Sequence, residues 1–357
     1  MSAAPLTPAL SHKWERGQFD SLASVRGGEG WGEGLRSAMP NFVVDRVKAN
    51  NMTWNVRIGV NPLSWMNDDL PSLGGETPLE TALAEGKEIG YEGFELGNKF
   101  PKDGPALKAK LDQFSLACVS GWYSGELAQG AVEAEIERCH AHMDKLRFNA
   151  VTVVVYGEVA GSVQGQIDTP VSQRPQFASD AAWQAYAARL NAFGAHLQSR
   201  YGITLAYHHH MGAYVESPAD IDKLMALTDP ARVGLLFDTG HAYFGGAAEP
   251  NVLLRAHVAR VVHVHCKDVR PALIAKARND GWSFLNGVIA GTFTVPGDGV
   301  IDYDAVLGTL RAAGYQGWLV VEAEQDPAVA PSYPYAKKGY ETLRRIVDRL
   351  DAKQAAA

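Results

Sequence analysis

From about residue 56 onward, short apolar, β-prone runs alternate with longer segments of helical periodicity. The β-prone runs are mostly continuous in hydrophobic residues, which is typical of parallel strands covered by helices. Eight runs are predicted as strands: 57–61, 92–97, 115–120, 150–156, 203–208, 233–238, 261–265 and 317–322. This alternation predicts an α/β fold, a parallel eight-stranded (β/α)8 TIM barrel with outer helices. A doubly wound open sheet is the alternative, but no Gly-x-Gly-x-x-Gly follows any predicted strand.

Several helical segments begin with recognisable sequence signals. Thr77-Pro-Leu-Glu80 predicts a capping box, with Thr77 as the N-cap and proline in the first helical position. Ser217-Pro-Ala-Asp220 predicts a second Ser-Pro start, with an acidic residue where the helix dipole favours it. Further helices are predicted over 131–147, 180–200, 303–313 and about 335–352.

The N-terminal residues differ in kind from the rest. Residues 1–38 are rich in Gly, Ser, Ala, Pro and charge, without apolar periodicity or the apolar core of a secretory signal. We therefore expect residues 1–54 to be a disordered extension and residues 55–352 to form one barrel domain. Met52 lies just ahead of the first strand, which indicates an over-long start-site assignment covering residues 1–51.

Net charge, apolar runs and cysteines indicate which kinds of molecule the protein binds and where it works. The net charge of −7 provides no basic surface for nucleic acid or an anionic membrane. No run of about 18 uncharged apolar residues predicts a membrane span. The three cysteines show no pairing pattern, which indicates a reducing, cytoplasmic environment. These features favour an enzyme acting on a small molecule, and they leave open whether the barrel forms a homo-oligomer.

Ionisable residues cluster at the carboxyl ends of the predicted strands, where TIM barrels carry their active sites. The last four predicted strands each end in a histidine or a carboxylate. The residues concerned are His208-His209-His210, Asp238 with His241, His263 with His265, and Glu322. One such placement is unremarkable, but four in succession at one end of a barrel predict a functional site.

Imidazoles and carboxylates on neighbouring strands form a mixed nitrogen and oxygen site suited to Mn²⁺, Co²⁺ or Zn²⁺. No thiolate cluster predicts a structural zinc site. The two-residue alternation of a strand places His208 and His210 on one side and His209 on the other. We therefore expect His209 to be structural or exposed.

Each of these residues also has a plain structural interpretation. Asp238 could cap the following helix, and His263 is as compatible with a hydrogen-bonded core histidine as with a ligand. Glu95, in the second predicted strand, could be a buried carboxylate that holds loops together. Lysines such as Lys99 and Lys267 are more often solvated than catalytic. Aromatic residues near the predicted strand ends either pack in the core or suit a sugar-like ring: Trp65, Trp122 and Tyr123.

Several motifs resemble those of the xylose isomerase-like TIM-barrel superfamily, which includes sugar epimerases and endonuclease IV. They are Asp238-Thr-Gly-His241, His263-Val-His265-Cys-Lys-Asp268, Pro296-Gly-Asp-Gly-Val-Ile-Asp-Tyr303 and Gly317-Trp-Leu-Val-Val-Glu322. Others are similar, more narrowly, to the inosose dehydratase family of inositol catabolism. These are Ile58-Gly-Val-Asn-Pro-Leu-Ser-Trp-Met-Asn-Asp-Asp69, Leu73-Gly-Gly-Glu-Thr-Pro78 and Gly93-Phe-Glu-Leu-Gly-Asn-Lys-Phe-Pro101. The resemblance covers about residues 56–350.

The resemblance implies dehydration of 2-keto-myo-inositol (scyllo-inosose) to a trihydroxycyclohexane-1,2-dione. It also implies dependence on Co²⁺ or Mn²⁺, and glutathione as a cofactor. Carried over by position, the metal ligands of the superfamily fall on Asp238, His265 and Glu322. The remaining ligand in the superfamily is a glutamate at the end of the fifth strand, and His208 occupies that register here. His210 is the alternative fourth ligand.

Loss of water requires a base for the proton α to the ketone and an acid for the departing hydroxyl group. Glu322 or a strand-end histidine, His208 in particular, is the predicted base. Lys267 or Glu158 is the predicted acid. The substrate is predicted to contact polar and aromatic side chains at the same end of the barrel: Asn61, Trp65, Trp122, His210 and His241.

Three other functions are weighed against dehydration of a cyclic polyol ketone. A ketose epimerase or isomerase on the same barrel is the main alternative, and a glutamate in place of His208 would favour it. An abasic-site endonuclease would need a basic groove, and the net charge of −7 argues against one. A non-catalytic sugar-binding role would leave four strand ends of ionisable residues without a purpose.

Overall fold

The computed structural model describes residues 53–355. Eight parallel strands of this part of the chain close into a barrel, in the order β1-β10-β7-β6-β5-β4-β3-β2. The barrel strands are β1 (Val56–Val60), β2 (Gly93–Leu96), β3 (Ala117–Gly125), β4 (Val153–Glu158), β5 (Thr204–His208), β6 (Val233–Asp238), β7 (Val261–Cys266) and β10 (Gly317–Val321). Two short strands, β8 (Asp268–Val269) and β9 (Phe293–Thr294), form a separate antiparallel ribbon. The predicted (β/α)8 barrel is confirmed.

Helices surround the barrel. They are α1 (Leu79–Ile89), α2 (Gly104–Asp112), α3 (Val132–Phe148), α4 (Asp180–Tyr201), α5 (Pro218–Leu227), α6 (Thr239–Phe244), α7 (Pro250–His257), α8 (Pro271–Asn279), α9 (Phe284–Ala290), α10 (Tyr303–Ala312) and α11 (Ser332–Ala355). Short 3-10 turns lie at Pro62–Ser64, Val171–Gln173 and Val258–Arg260. Of the described helices, none is long and apolar enough to cross a membrane.

The hydrophobic core has two layers. A small cluster inside the barrel contains Val155, Ala206 and Leu236, with Trp122 packed against it. A much larger core lies between the barrel wall and the helices, where residues such as Phe193 of α4 are fully buried. Strands with helices on one side and the barrel interior on the other bury both faces, which explains their continuous apolar runs.

Strand β3 extends five residues beyond its predicted end at residue 120, and β4 two residues beyond its predicted end at residue 156. β3 continues to Gly125 because it pairs with β4 as far as the Gly125 and Glu158 partners. Trp122 and Tyr123 therefore lie within a strand rather than beyond its end. Alternation then directs the two rings to opposite sides: Trp122 contacts the barrel interior and Tyr123 stacks on Phe193 of the outer core.

The prediction of a capping box at Thr77 is wrong, whereas the predicted helix start at Ser217 is confirmed and forms a capping box. Helix α1 begins at Leu79 with Pro78 as its N-cap, while the Thr77 N–H donates to the carbonyl of Gly74 in a preceding turn. For α5, the Ser217 hydroxyl accepts from the Asp220 N–H at 3.3 Å, and the Asp220 carboxylate accepts from the Ser217 N–H at 2.9 Å. Whether such a motif forms a capping box therefore depends on the conformation of the residues that precede it.

The N-terminal prediction lies largely outside the described residues, which begin at Thr53. Trp54 belongs to the folded body, because its ring is buried and its Nε1–H donates to the carbonyl of Tyr315 at 2.7 Å. At the other end, α11 continues to Ala355 instead of stopping at residue 352.

Candidate active site

Four buried side chains converge at the carboxyl ends of β5, β6, β7 and β10. We call His208, Asp238, His265 and Glu322 the strand-end cluster; one ligand atom of each lies within 4.8 Å of the others. The strand register explains the convergence, because Asp238 is paired with His265 and the β10 strand pairs with β7 just before Glu322. The carboxyl ends of neighbouring parallel strands therefore place side chains from distant parts of the sequence close together.

The distances within the cluster suit a metal ion. Asp238 Oδ2 lies 3.7 Å from His208 Nε2 and 3.6 Å from His265 Nδ1, and the latter lies 2.7 Å from Glu322 Oε2. Ligand atoms bonded at about 2.1 Å to a tetrahedral ion lie roughly 3.4 Å apart. The cluster thus has nearly the spacing that a divalent cation requires.

Hydrogen bonds fix which nitrogen atom each imidazole presents to the cluster. His208 Nδ1 lies 2.7 Å from the carbonyl oxygen of His209, which can only accept, so Nδ1 carries the hydrogen. His265 Nε2 lies 3.1 Å from the carboxylate of Glu95, so it donates as well. In neutral imidazoles, the lone pairs of His208 Nε2 and His265 Nδ1 then face Asp238 and Glu322.

Three polar atoms of the cluster are buried without a hydrogen bond of acceptable geometry: Asp238 Oδ2, His265 Nδ1 and Glu322 Oε2. Buried polar groups are normally satisfied, so three such atoms pointing at one place require an explanation. A cation bound among them would supply it, since all three are metal-ligand atoms and none is a thiolate. The residues present therefore fit a divalent metal ion of the Mn²⁺, Co²⁺ or Zn²⁺ type.

Burial and neighbouring charges shift the pKa values of the side chains in the cluster. Burial disfavours the imidazolium of His265, but the neighbouring carboxylates of Glu322 and Glu95 outweigh it and hold the pKa of His265 well above its usual range. Burial likewise opposes ionisation of Glu322, yet the charges of His265 and Lys267 hold its pKa well below the usual range. The pKa of His208 is lowered by burial and by the neighbouring imidazoles. A proton and a cation thus compete for His265.

A lysine lies beside the cluster. The Lys267 ammonium is fully buried and contacts carboxylates of Glu324 at 2.8 Å, Glu322 at 3.2 Å and Asp238 at 3.6 Å. Burial would lower the pKa of Lys267, but these carboxylates raise it above its ordinary value, so the group stays charged. The sequence-based expectation of a solvated lysine is therefore wrong for Lys267.

A second group of ionisable side chains adjoins the first: His210, His241 and Glu324. The rings of His210 and His241 lie 4.0 Å apart, and His241 Nε2 lies 3.1 Å from Lys267 Nζ. Burial lowers the pKa of His210 to about 4 and raises the pKa of Glu324 to about 7. A neutral imidazole thus lies close to a carboxyl group that is partly protonated near neutral pH.

The cluster opens into a cleft of about 410 Å³. His208, His210, Glu322 and Glu324 line its inner end, together with Asn61 and Trp122. The Trp122 ring stands edge-on to the rings of His208 and His210, with centroids 5.6 and 5.9 Å away. The outer part is lined mainly by polar and charged side chains: Asp68, Asp69, Asn98, Lys102, Ser124, His142, Lys145 and Gln164. Such a lining suits a small polyhydroxy molecule.

Some predicted site residues do not line the cleft: His241 and Lys267 are buried behind it, and Glu158 and Trp65 lie elsewhere. Glu158 is on the helix-facing side of β4, where it accepts from the Tyr156 hydroxyl at 2.9 Å and the Ala128 N–H at 3.0 Å. Trp65 is buried against Phe94 and donates to Glu85 at 2.6 Å. The prediction of Glu158 as the acid is therefore wrong, because the alternation of β4 directs its side chain into the outer core. The prediction of Trp65 as a substrate contact is wrong as well, because the turn after β1 directs its ring into the outer core.

Other predicted residues have structural roles. His209 faces away from the cluster, and its Nε2 accepts from the Asp238 N–H at 3.3 Å. His263 is a core histidine that donates to Glu95 at 2.7 Å. Lys99 contacts the carbonyls of Gly75 and Thr77 at 2.6 and 2.5 Å, which ties down the segment after β1.

Asp238 fulfils both of its predicted roles. Its Oδ1 caps α6 by accepting from the His241 N–H at 2.8 Å, while Oδ2 faces the cluster. Sequence reasoning gave no role to Glu324, although it lies two residues beyond Glu322, and treated Glu95 only as a core carboxylate. The continuation of the strand-end pattern past Glu322 is the signal that could have identified Glu324.

The fold and the cluster together define a class of protein. A closed parallel barrel that gathers imidazoles and carboxylates at the carboxyl ends of its strands is a TIM-barrel enzyme with a candidate metal centre. Consistent with this, the family described as xylose isomerase-like TIM barrel matches residues 83–346. Among solved structures, the IOLI protein with a binding zinc atom has a TM-score of 0.58 at 16% identity, covering 82% of this chain and 98% of that one, which shows the shared fold.

Sequence relatives narrow the class further. The rhizopine catabolism protein MocC of Rhizobium meliloti is 45% identical over 296 residues, covering 83% of this chain and 90% of the relative. An inosose dehydratase of Geobacillus thermodenitrificans is 43% identical over 289 residues, covering 81% of this chain and 96% of the relative. The chain belongs to the inosose dehydratase family of the xylose isomerase-like TIM barrels, and it is therefore a dehydratase, a hydro-lyase.

Proposed function

We propose that this hydro-lyase removes water from 2-keto-myo-inositol (scyllo-inosose) to give 3D-(3,5/4)-trihydroxycyclohexane-1,2-dione in myo-inositol catabolism. We further propose that a divalent cation, Mn²⁺ or Co²⁺, is held by His208, Asp238, His265 and Glu322. The observation that carries the proposal is the convergence, beside a polar cleft, of three buried potential ligand atoms that lack a hydrogen bond of acceptable geometry. The relatives named inosose dehydratase support the choice of substrate.

The positions of the two rings favour His208 over His210 as the fourth ligand. The free nitrogen of His208 faces Asp238 Oδ2 at 3.7 Å. His210 donates through Nδ1 to the Met211 carbonyl at 2.8 Å, and its ring packs against His241, outside the strand-end cluster. His210 is then available for proton transfer instead of coordination.

When bound, the cation would polarise the ketone oxygen and stabilise the negative charge that develops there. His210 lines the cleft, and its low pKa keeps the ring neutral at pH 7, so Nε2 can accept the proton α to the ketone. Glu322 is the alternative base. The electrons of that C–H bond form a double bond between the α- and β-carbons as the β-hydroxyl leaves with the electrons of its C–O bond. The resulting enol then tautomerises to the dione.

The departing hydroxyl leaves as water if it receives a proton. Glu324 lines the cleft, and its pKa of about 7 keeps part of the population protonated, so we assign it as the acid. Lys267, the predicted acid, donates to Glu324 at 2.8 Å. In this proposal it positions the acid Glu324 and does not itself protonate the hydroxyl. Asn61, Trp122 and, behind them, His241 would complete the substrate site.

The identity of the fourth ligand also bears on the reaction. The resemblance implies that epimerases of this superfamily use two glutamates on opposite faces of the substrate. With His208 in one of those registers, a two-glutamate proton shuttle is not available, which supports elimination over epimerisation. Glutathione, a cytoplasmic location and a homo-oligomer stay predictions.

The proposal is tested by incubating the protein with 2-keto-myo-inositol and Mn²⁺ or Co²⁺ while following the ultraviolet absorbance of the dione. We expect product with metal and none after chelation. Asp238→Asn should abolish activity, because Asn retains the oxygen that caps α6 but loses the charge on the cluster. Asp302→Asn is the matched control, since Asp302 caps α10 in the same way through the Ala305 N–H. Epimerisation of a ketohexose without dione formation would overturn the proposal.

A further inference from the structure

A carboxylate lies beneath the strand-end cluster, on its barrel-interior side. Glu95 of β2 is buried and contacts three donors: His263 Nε2 at 2.7 Å, His265 Nε2 at 3.1 Å and Asn61 Nδ2 at 2.8 Å. These donors come from β7 and from the residue after β1, so Glu95 crosses the barrel interior to reach them. Both of its oxygens accept hydrogen bonds, which suits an ionised carboxylate.

The contact with His265 has a consequence for the cluster. A carboxylate can only accept, so the ring nitrogen facing it, Nε2, must carry the hydrogen. In the neutral imidazole the lone pair is then confined to Nδ1, which lies 2.7 Å from Glu322 Oε2 and 3.6 Å from Asp238 Oδ2. With the opposite tautomer, His265 would present an N–H to the cluster and could not ligate a cation.

The two imidazoles of the cluster are held by different kinds of acceptor. His208 donates to a main-chain carbonyl, which no substitution of a side chain removes. His265 donates to a side chain that is itself held by His263 and Asn61. A carboxylate behind a ligating histidine also increases the basicity of its donor atom. The orientation of His265 therefore depends on one replaceable residue.

We propose that Glu95 is a positioning residue that fixes the Nε2–H tautomer of His265 and so makes Nδ1 a metal-donor atom, with His263 and Asn61 holding Glu95 in place. The inference rests on the proposed function, because it takes the strand-end cluster as a metal site. It predicts that Glu95 governs metal affinity without touching either metal or substrate.

The alternative is that Glu95 only ties strands β1, β2 and β7 together. Glu95→Gln separates the two interpretations, because glutamine keeps the volume but no longer enforces a donor at His265 Nε2. Glu135→Gln is the matched control: Glu135 is equally buried and accepts from the Tyr123 hydroxyl at 2.5 Å, but it lies on α3 in the outer core. Both variants lose a buried carboxylate, and thermal unfolding reports whether each is folded.

The first measurement is calorimetric titration of the folded proteins with Co²⁺ or Mn²⁺ alone. We expect Glu95→Gln to lower the affinity about 10–100-fold, the usual effect of removing a group that supports a metal ligand, and Glu135→Gln to leave it unchanged. Wild-type affinity in Glu95→Gln would overturn the role of Glu95 while leaving the proposed function intact. Absence of metal binding by the wild-type protein would overturn both.

The second measurement reads the tautomer directly. Long-range ¹H–¹⁵N correlation spectra of ¹⁵N-histidine-labelled protein loaded with diamagnetic Zn²⁺ should show that His265 is coordinated through Nδ1 and protonated at Nε2. Coordination through Nε2 would refute the inference. If Glu95→Gln does not fold, His263→Leu and His263→Gln replace it. Glutamine retains the donor to Glu95 and should keep the metal affinity, whereas leucine should reduce it; equal affinities would count against the proposal.

Discussion

At the scale of single residues, the direction of a few hydrogen bonds separates side chains that the sequence could not tell apart. His208, His209 and His210 are consecutive, yet each has a different role. His208 presents a lone pair to the strand-end cluster, His209 accepts from the Asp238 N–H, and His210 faces the cleft. The alternation of β5 separates the middle residue from the other two, and the ionisable groups beside each ring then distinguish those two.

Substitution of the two inward histidines should therefore have separable effects. His208→Ala removes a ligand, so we expect it to lower Co²⁺ affinity by more than the ~10–100-fold that loss of a supporting group causes. His210→Ala should leave Co²⁺ affinity unchanged and reduce kcat, because the proposed role of its ring is to accept the proton α to the ketone. Calorimetric titration and steady-state kinetics of both variants test this. A loss of metal affinity confined to His210→Ala would reverse the assignment.

Metal uptake should release a proton. Because the pKa of His265 is well above its usual range, the imidazolium persists above pH 6.5 in the metal-free protein, and a cation must displace its proton. Apparent metal affinity should then rise with pH, about tenfold per unit while His265 is protonated. Titrations in two buffers of different ionisation enthalpy count the released protons. A count of zero near pH 6 would contradict the assignment of His265.

At the scale of secondary-structure elements, each barrel strand has one face toward the interior and one toward the helices. β4 shows the difference: Val155 packs inside the barrel, whereas Tyr156 and Glu158 enter the outer core. The sequence places Glu158 at a strand end but does not identify its face, since both faces of β4 are apolar nearby. Register with β3 and β5 is what orients it.

Glu158 should therefore affect stability rather than catalysis. Burial raises the pKa of Glu158 from its ordinary value of about 4.5 to about 7, although the Tyr156 hydroxyl and two backbone N–H groups favour the charged form. The folded state thus binds the proton more tightly than the unfolded state, and stability is lost as pH rises from about 4.5 to about 7. Relative to wild type, Glu158→Gln should gain up to about 3 kcal/mol of unfolding free energy across this window.

Urea unfolding of wild type and Glu158→Gln at pH 4.5, 6 and 8 measures how the difference in their free energies of unfolding changes with pH. The partly exposed Glu92, which pairs with Arg57, offers a control in Glu92→Gln for the loss of one carboxyl group. A constant difference between wild type and Glu158→Gln would show that the carboxyl group does not titrate in this range.

At the scale of the whole molecule, the proposed metal site links elements that are far apart in sequence. Its four proposed ligands span residues 208–322 and lie at the carboxyl ends of four adjacent strands of the closed barrel. A cation that binds all four is bound by the folded barrel and not by the unfolded chain. Binding should therefore be coupled to the stability of the entire domain.

Metal should accordingly raise the thermal stability of the protein. At free Mn²⁺ or Co²⁺ of 100 times Kd, the free energy of unfolding should increase by about 2.7 kcal/mol. For a domain of this size, that corresponds to an increase in Tm on the order of 5 °C. Scanning calorimetry with and without metal checks the value, and Asp238→Asn should abolish the shift. An equal shift in Asp238→Asn would mean that the metal binds elsewhere.

The sequence by itself determined the barrel, the carboxyl-terminal edge as the site, and Asp238, His265 and Glu322 as candidate ligands. It could do so because apolar runs, strand ends and motifs are local properties of the chain. Only the tertiary structure decided that His208 rather than His210 lies in one cluster with Asp238, His265 and Glu322, that Glu324 lines the cleft and that Glu158 and Trp65 do not. These outcomes depend on strand register and on hydrogen bonds such as that from His265 to Glu95, whose partners lie 170 residues apart. Contacts of that range leave no local pattern, so the closed barrel alone specifies them.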